Sequence, residues 1–286
     1  MQGTRGLCED IKYYGKMLEK NVRNKIENLY PQTEKGDLIS SWLWCRTVKC
    51  PNPACNFEAP LIKSFYLLKK NARIITIIPV VDGKNIKFKL GNNKPKVDGS
   101  VNSKGAFCLK CNSSIPFKYI RQEGKAGGLG NKLVMLITEN KHNKFQEVDH
   151  NQHIKFEKDI EYLNTPLPDK ALGFRVQAYG IKNHKDLFTR RQYYALCTFC
   201  KELEGIQRVI LEDSQKKDFQ ENNKHLYEGG LGIVAYSEAI ITYLALTISK
   251  STNAWSNLCS WNANVASPRN TFARQTLSMT WDYIEV

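Results

Sequence analysis

A chain of 286 residues with 42% hydrophobic and 24% charged side chains can bury a core without a metal to hold the whole together, and its composition excludes a disordered polymer. Lys and Arg outnumber Asp and Glu by 42 to 28, a net charge of +14, which points to an anionic partner. The polar opening MQGTRGLCEDIKYYGK gives no secretory signal, so the expected location is the cytoplasm, with the nine cysteines as reduced thiols or metal ligands.

In chain order, Ile11, Tyr14, Leu18, Val22, Ile26 and Leu29 recur at the spacing of one helix face, and Pro31 ends that helix. ARIITIIPVV and NIKFKL, separated by Asp82-Gly83, predict two strands of a hairpin. The polar stretch 91–105 is a loop, and KLVMLITEN predicts another strand. NTPLPDKALG resembles a linker, with a boundary near Asp169. Beyond it, Thr189 as N-cap, Gln192 as its capping-box partner and a Phe188–Tyr193 staple start a helix. The apolar run LGIVAYSEAIITYLALTIS, interrupted by Glu238, predicts a buried helix rather than a membrane span. The expected class is α+β: a helical segment over 1–45, a basic β-rich module over 46–168, and a mainly helical segment over 169–286.

Between Cys50 and Lys144 stand 17 basic against 5 acidic residues, so the β-rich module carries most of the excess charge, and phosphate is the expected partner. The same module holds two tight thiol pairs, Cys50–Cys55 in KCPNPAC and Cys108–Cys111 in FCLKC. Short loops that each present two sulfurs to one ion suit a tetrahedral zinc. Four thiolates leave no open position, so such a zinc is structural.

The remaining candidates divide into chemistry and packing. Arg121 and Lys125 in RQEGK place two cations on a glycine-softened loop after the second thiol pair, a site for phosphate or for solvent alike. Arg190 and Arg191 occupy the first turn of their helix, where backbone N–H groups favour an anion. Tyr193, Leu196, Cys197, Cys200 and Leu203 form an apolar stripe, so Cys197 and Cys200 read as packing thiols; Cys8, Cys45 and Cys259 read the same way. The clusters AGGLG and EGGLG lack the spacing of a nucleotide fingerprint and read as turns. His150 and His153 belong to a surface loop.

Taken together, WLWCRTVKCPNPAC, RQEGKAG, GFRVQAYGIKNHKDLFTRRQ and RNTFARQTLSMTWDYIEV resemble the adenine-specific DNA methyltransferases that contain a zinc ribbon. The resemblance implies that Cys50, Cys55, Cys108 and Cys111 are the ribbon cysteines, and that Trp281-Asp282-Tyr283 precedes the catalytic region of a Rossmann-like enzyme into which the ribbon is inserted. Relatives of that kind use a Phe-x-Gly-x-Gly motif for S-adenosylmethionine and an Asp-Pro-Pro-Tyr type motif for chemistry. This sequence contains neither, so no catalytic or cofactor-binding residue is assigned. S-adenosylmethionine is expected only in the complete enzyme, where it would support methylation of a flipped adenine. The expected partners are DNA and a polypeptide supplying the missing motifs, with no membrane. The other readings are a stand-alone zinc-ribbon nucleic-acid-binding protein and a scaffold for an acidic protein.

Overall fold

A computed structural model describes residues 3–30, 37–70, 73–139, 144–148, 156, 158–169, 173–215 and 223–286; His150 and His153 lie outside them. In chain order the elements are helix α1 (Gly3–Ile26), strands β1 (Ile39–Lys49), β2 (Glu58–Leu61), β3 (Tyr66–Lys70), β4 (Arg73–Asp82), β5 (Asn85–Gly91), β6 (Gly105–Phe107) and β7 (Ser114–Pro116), and helix α2 (Phe117–Lys125). Strands β8 (Gly130–Thr138) and β9 (Phe145–Gln146), helices α3 (Arg190–Gln215) and α4 (Ile233–Ser251), and strands β10 (Trp261–Asn262), β11 (Ser267–Pro268) and β12 (Asp282–Glu285) follow. The class is α+β.

Contacts group the chain into two units, and they cut across the three stretches 1–45, 46–168 and 169–286. One unit comprises Met1–Tyr30, Phe156–Lys158 and Arg190–Thr252; the other comprises Pro31–Lys155, Asp159–Thr189 and Asn253–Val286. Of the described residues in the segment expected as a linker, 164–169 and 173, all are exposed except Leu167, which is anchored. Leu167 N–H donates to Lys182 O at 2.8 Å, and its side chain is buried with Val176, Ile181, Leu187, Leu258 and Leu277. Two prolines stop a regular element there, and Leu167 between them is the one residue of 164–169 that is buried.

In the helical unit the expected face of α1 is the face that packs. Tyr14, Leu18 and Val22 are buried against Ile206 and Ile210 of α3 and Ile240, Leu244 and Ile248 of α4, each such side chain contributing about 1.5–3 kcal/mol. Two phenols tie the helices at their polar margins: Tyr14 Oη donates to Asp213 Oδ2 at 3.2 Å and Tyr236 Oη to Asp10 Oδ2 at 2.6 Å. Helix α4 is long and apolar enough, by length and composition, to cross a membrane; Ala235, Ser237, Ile240, Leu244 and Ile248 are its buried residues. On α3 the inward stripe runs through Ala195, Leu196, Phe199, Leu203, Ile206 and Ile210. Cys200 stands one residue round from Phe199 and is exposed, and Cys197 is half-buried, so the expectation that both thiols join the packing stripe is corrected. The helical period puts Phe199 in the position assumed for Cys200.

The second unit is built on β1. Its residues Trp42 to Cys45 pair antiparallel with β12 and residues Arg46 to Lys49 with β2, so these two strands follow one another along one edge. On the other edge β8 runs antiparallel from Ile39 to Thr47, and β9 extends the sheet beyond it. Strands β3, β4 and β5 form a separate antiparallel meander. The turn between β4 and β5 has Gly83 at a φ of 60°, which supplies the left-handed residue that a two-residue hairpin requires. Trp281 and Tyr283 pack into this unit's interior: Trp281 stacks on Phe117 at 5.8 Å and meets Tyr179 edge-on at 5.1 Å, and Tyr283 is fully buried.

Candidate metal centre

Each thiol pair is the loop of a β-hairpin. Lys49 at the end of β1 pairs with Glu58 at the start of β2, and the loop between them carries Cys50 and Cys55. Phe107 pairs with Ser114, and that tighter loop carries Cys108 and Cys111. The two loops face one another, with Asn52 Nδ2 donating to Ser113 Oγ at 3.3 Å across the gap.

The local backbone repeats between the two loops. Asn56 follows Cys55 with a φ of 48°, and Asn112 follows Cys111 with a φ of 60°. Asparagine is the residue besides glycine that accepts this left-handed conformation most readily. The turn sends the next N–H back toward sulfur, from Phe57 to Cys55 and from Ser113 to Cys111. The Asn52 N–H serves Cys50 in the same way.

All four sulfurs lie within 4.8 Å of one another. Cys50 Sγ and Cys111 Sγ are 3.6 Å apart, and Cys55 Sγ and Cys108 Sγ 3.9 Å. These separations are far too long for disulfides, whose S–S bond is about 2.05 Å. They match a different geometry: a regular tetrahedron with Zn–S bonds of about 2.3 Å has edges of about 3.8 Å. Cys50 and Cys108 are buried, while Cys55 and Cys111 are half-buried.

Thiol acidity differs within the quartet. Burial pushes Cys50 up to about 12 and raises Cys55, whereas hydrogen bonding from the Ser113 hydroxyl and N–H pulls Cys111 down to about 6. Hydrogen bonding from Ser113 thus favours the thiolate form of Cys111, and cysteines that bind a metal ion lose their protons as they do so. The donor set and its spacing fit a structural zinc, and they leave no position for substrate.

The expected phosphate contacts fall in both units. Arg121 and Lys125 share the unit of the cysteines, but RQEGK is the second half of α2 rather than a loop. The physical reason lies in Gly124, which is there for a close approach. A Cβ on it would lie 2.5 Å from the Tyr179 carbonyl oxygen, so the glycine lets the helix pack on the turn 176–180. The Arg121 guanidinium lies over the Tyr179 ring at 5.5 Å. Tyr119 Oη donates to Lys49 O at 3.0 Å, which fastens α2 to the residue preceding Cys50. Arg190 and Arg191 belong to the helical unit, over the rings of Phe156 and Tyr30 at 5.2 and 5.9 Å.

Sequence reasoning missed Asn56, Asn112 and Ser113 as parts of the centre. The signal was present as a Cys-Asn dipeptide closing both thiol pairs. Comparison with known proteins finds no family model, no characterised protein and no solved structure that matches the chain.

Proposed function

We propose that this chain is a zinc-ribbon DNA-binding and target-recognition portion of an S-adenosylmethionine-dependent, adenine-specific DNA methyltransferase, acting in the cytoplasm. The observation that carries the reading is the tetrathiolate cluster closing two hairpin loops within the most basic part of the sequence. Cys50, Cys55, Cys108 and Cys111 would hold the zinc, which supplies cross-linking and no catalysis. Helix α2, leaving the second hairpin directly through Pro116, would then present Arg121 and Lys125 from a fixed base. Such cations position a phosphate backbone without reading its sequence.

The methyltransferase part of the reading rests on the motif resemblance, including TFARQTLSMTWDYIEV. The residues of this chain do not supply a Phe-x-Gly-x-Gly or an Asp-Pro-Pro-Tyr motif, so no step of methyl transfer is assigned to them. A second polypeptide carrying those motifs would complete the enzyme, with the insertion in a Rossmann-like fold as the expected arrangement.

Two measurements on the purified chain test this reading. Elemental analysis should give about one zinc per chain, lost in Cys108→Ser with Cys111→Ser. DNA affinity should fall steeply with salt, as for binding driven by counterion release, and Arg121→Ala with Lys125→Ala should weaken it alike on unrelated duplexes. A metal-free chain would remove the ribbon. Salt-insensitive binding, or binding only to acidic proteins, would replace the DNA reading with the scaffold.

A further inference from the structure

The β-rich unit contains a cleft of about 860 Å³, and none of the four clustered cysteines lines it. It is lined by residues 63–69, by Asp98, and by segments of 258–282. Four cations line it: Lys63, Lys69, Arg269 and Arg274, all with exposed side chains. Among the described residues, none of the four reaches a carboxylate within ion-pair distance. The acids of the lining are Asp98 and Asp282, and Asp282 is already engaged by the Lys63 N–H at 2.8 Å.

The walls are fixed before any ligand arrives. Lys69 N–H donates to Ala263 O at 2.9 Å, Trp261 Nε1 to Leu67 O at 2.8 Å, and Arg269 N–H to Ser260 O at 2.9 Å. Below the cleft, Thr280 Oγ1 donates to Leu258 O at 3.1 Å. Lys69 lies over the Tyr66 ring at 5.0 Å, which holds that ammonium at the cleft. Asn264, Asn270, Thr276 and Ser278 add amides and hydroxyls to the lining. Excess positive charge on a rigid, polar, concave wall selects an anion carrying many hydrogen-bonding groups, and the volume lies within the roughly 300–1,000 Å³ of small-ligand sites.

We propose that this cleft binds a single-stranded nucleic-acid segment, one or two nucleotides deep, with Lys69, Arg269 and Arg274 on its phosphates. The inference rests on the DNA-binding reading above and locates a second contact within it. A cleft of this volume cannot admit a turn of duplex, whereas an unpaired strand can enter and offer its base edges to the amides and hydroxyls.

The test compares fluorescence anisotropy titrations of labelled single-stranded and duplex oligodeoxynucleotides of equal length. Lys69→Ala, Arg269→Ala and Arg274→Ala are combined in one variant. Lys16→Ala, Lys20→Ala and Lys201→Ala, exposed in the helical unit, remove the same charge in another. Thermal melts confirm that both variants fold. The cleft variant should lose tenfold or more in single-strand affinity and lower the salt slope by about 2, because each phosphate contact on a single strand contributes about 0.7. The control variant should change less than threefold. A cleft variant that binds like the control overturns the inference and leaves the DNA reading intact. A wild-type chain that binds neither strand form overturns both. Competition by deoxyadenosine monophosphate at the oligonucleotide's own affinity would assign the cleft to free nucleotide and overturn the strand form.

Discussion

Gly124→Ala sets two physical effects against each other on one helix. Alanine in a helix interior is favoured over glycine by about 0.8–1 kcal/mol, so propensity alone makes the substitution stabilising. The structure says otherwise, because the new Cβ would stand 2.5 Å from Tyr179 O, 2.9 Å from its carbonyl carbon and 3.1 Å from its Cα. All three are backbone atoms, and no rotamer change relieves them. Contact at about 3.4 Å needs α2 and the turn 176–180 to part by almost 1 Å. That movement loosens the Tyr179–Trp281 and Phe117–Trp281 contacts, and overpacking of this sort costs about 1–3 kcal/mol. The net expectation is a loss of up to about 2 kcal/mol, read by urea unfolding or as a lowered melting temperature. A variant more stable than wild type by the full propensity gain would refute the packing account of α2.

Removing the proposed zinc by chelation should abolish hydrogen-exchange protection in β6, β7 and α2 while β1 and β8 keep theirs; uniform loss across the unit would show the proposed ion to be more than a local staple. The chain alone should show no S-adenosylmethionine heat in calorimetry and no labelled methyl transfer to duplex DNA, and micromolar binding with methylated adenine would overturn the assignment of both tasks to another polypeptide. Asp282→Asn should flatten the pH dependence of stability between about pH 4 and 7. Burial raises this carboxyl from 3.8 to about 7, so its contribution is fully present below about pH 4 and is lost as pH rises through about 7. Three units correspond to a ceiling of about 4 kcal/mol, and with the side chain half-buried on a cleft wall about 1–2 kcal/mol is expected. Asparagine can still accept from Lys63 N–H, and an unchanged pH profile would place the titration elsewhere.

The sequence disclosed elements whose signal is local. Helix α1 showed its face because Tyr14, Leu18 and Val22 are buried on one side only. The β4–β5 hairpin showed itself through strict alternation in NIKFKL and the glycine at its turn. Strand β1 gave no such signal. Its burial is nearly continuous from Trp42 to Val48, since β1 is the central strand with neighbours on both edges and cover on both faces, and a strand covered on both faces loses the period-2 alternation. Its pairing with β12 joins Trp42 to Glu285, a separation that no local pattern encodes. The grouping of α1 with α3 and α4 escaped for the same reason. So did the cleft, whose cations come from 63–69 and 269–274 and meet only once β3 and β10 have folded.

The cysteine quartet lies between these extremes, and its geometry explains why. Spacing alone named the four cysteines that cluster, because each loop holds two sulfurs close together, a constraint that acts over a few residues. What spacing could not give is the coupling to α2. Pro116 ends β7 and caps the helix, Ile120 is fully buried beneath it, and Tyr119 returns a hydrogen bond to Lys49, one residue before the first ligand. A helix of nine residues is too short to be stable alone. Its register is instead fixed by the hairpin that leads into it, the tyrosine that ties it back and the glycine that lets it approach Tyr179. The charged groups on α2 are therefore positioned by the same contacts that close the cysteine cluster, which is why the cluster and the cations Arg121 and Lys125 belong to one physical argument.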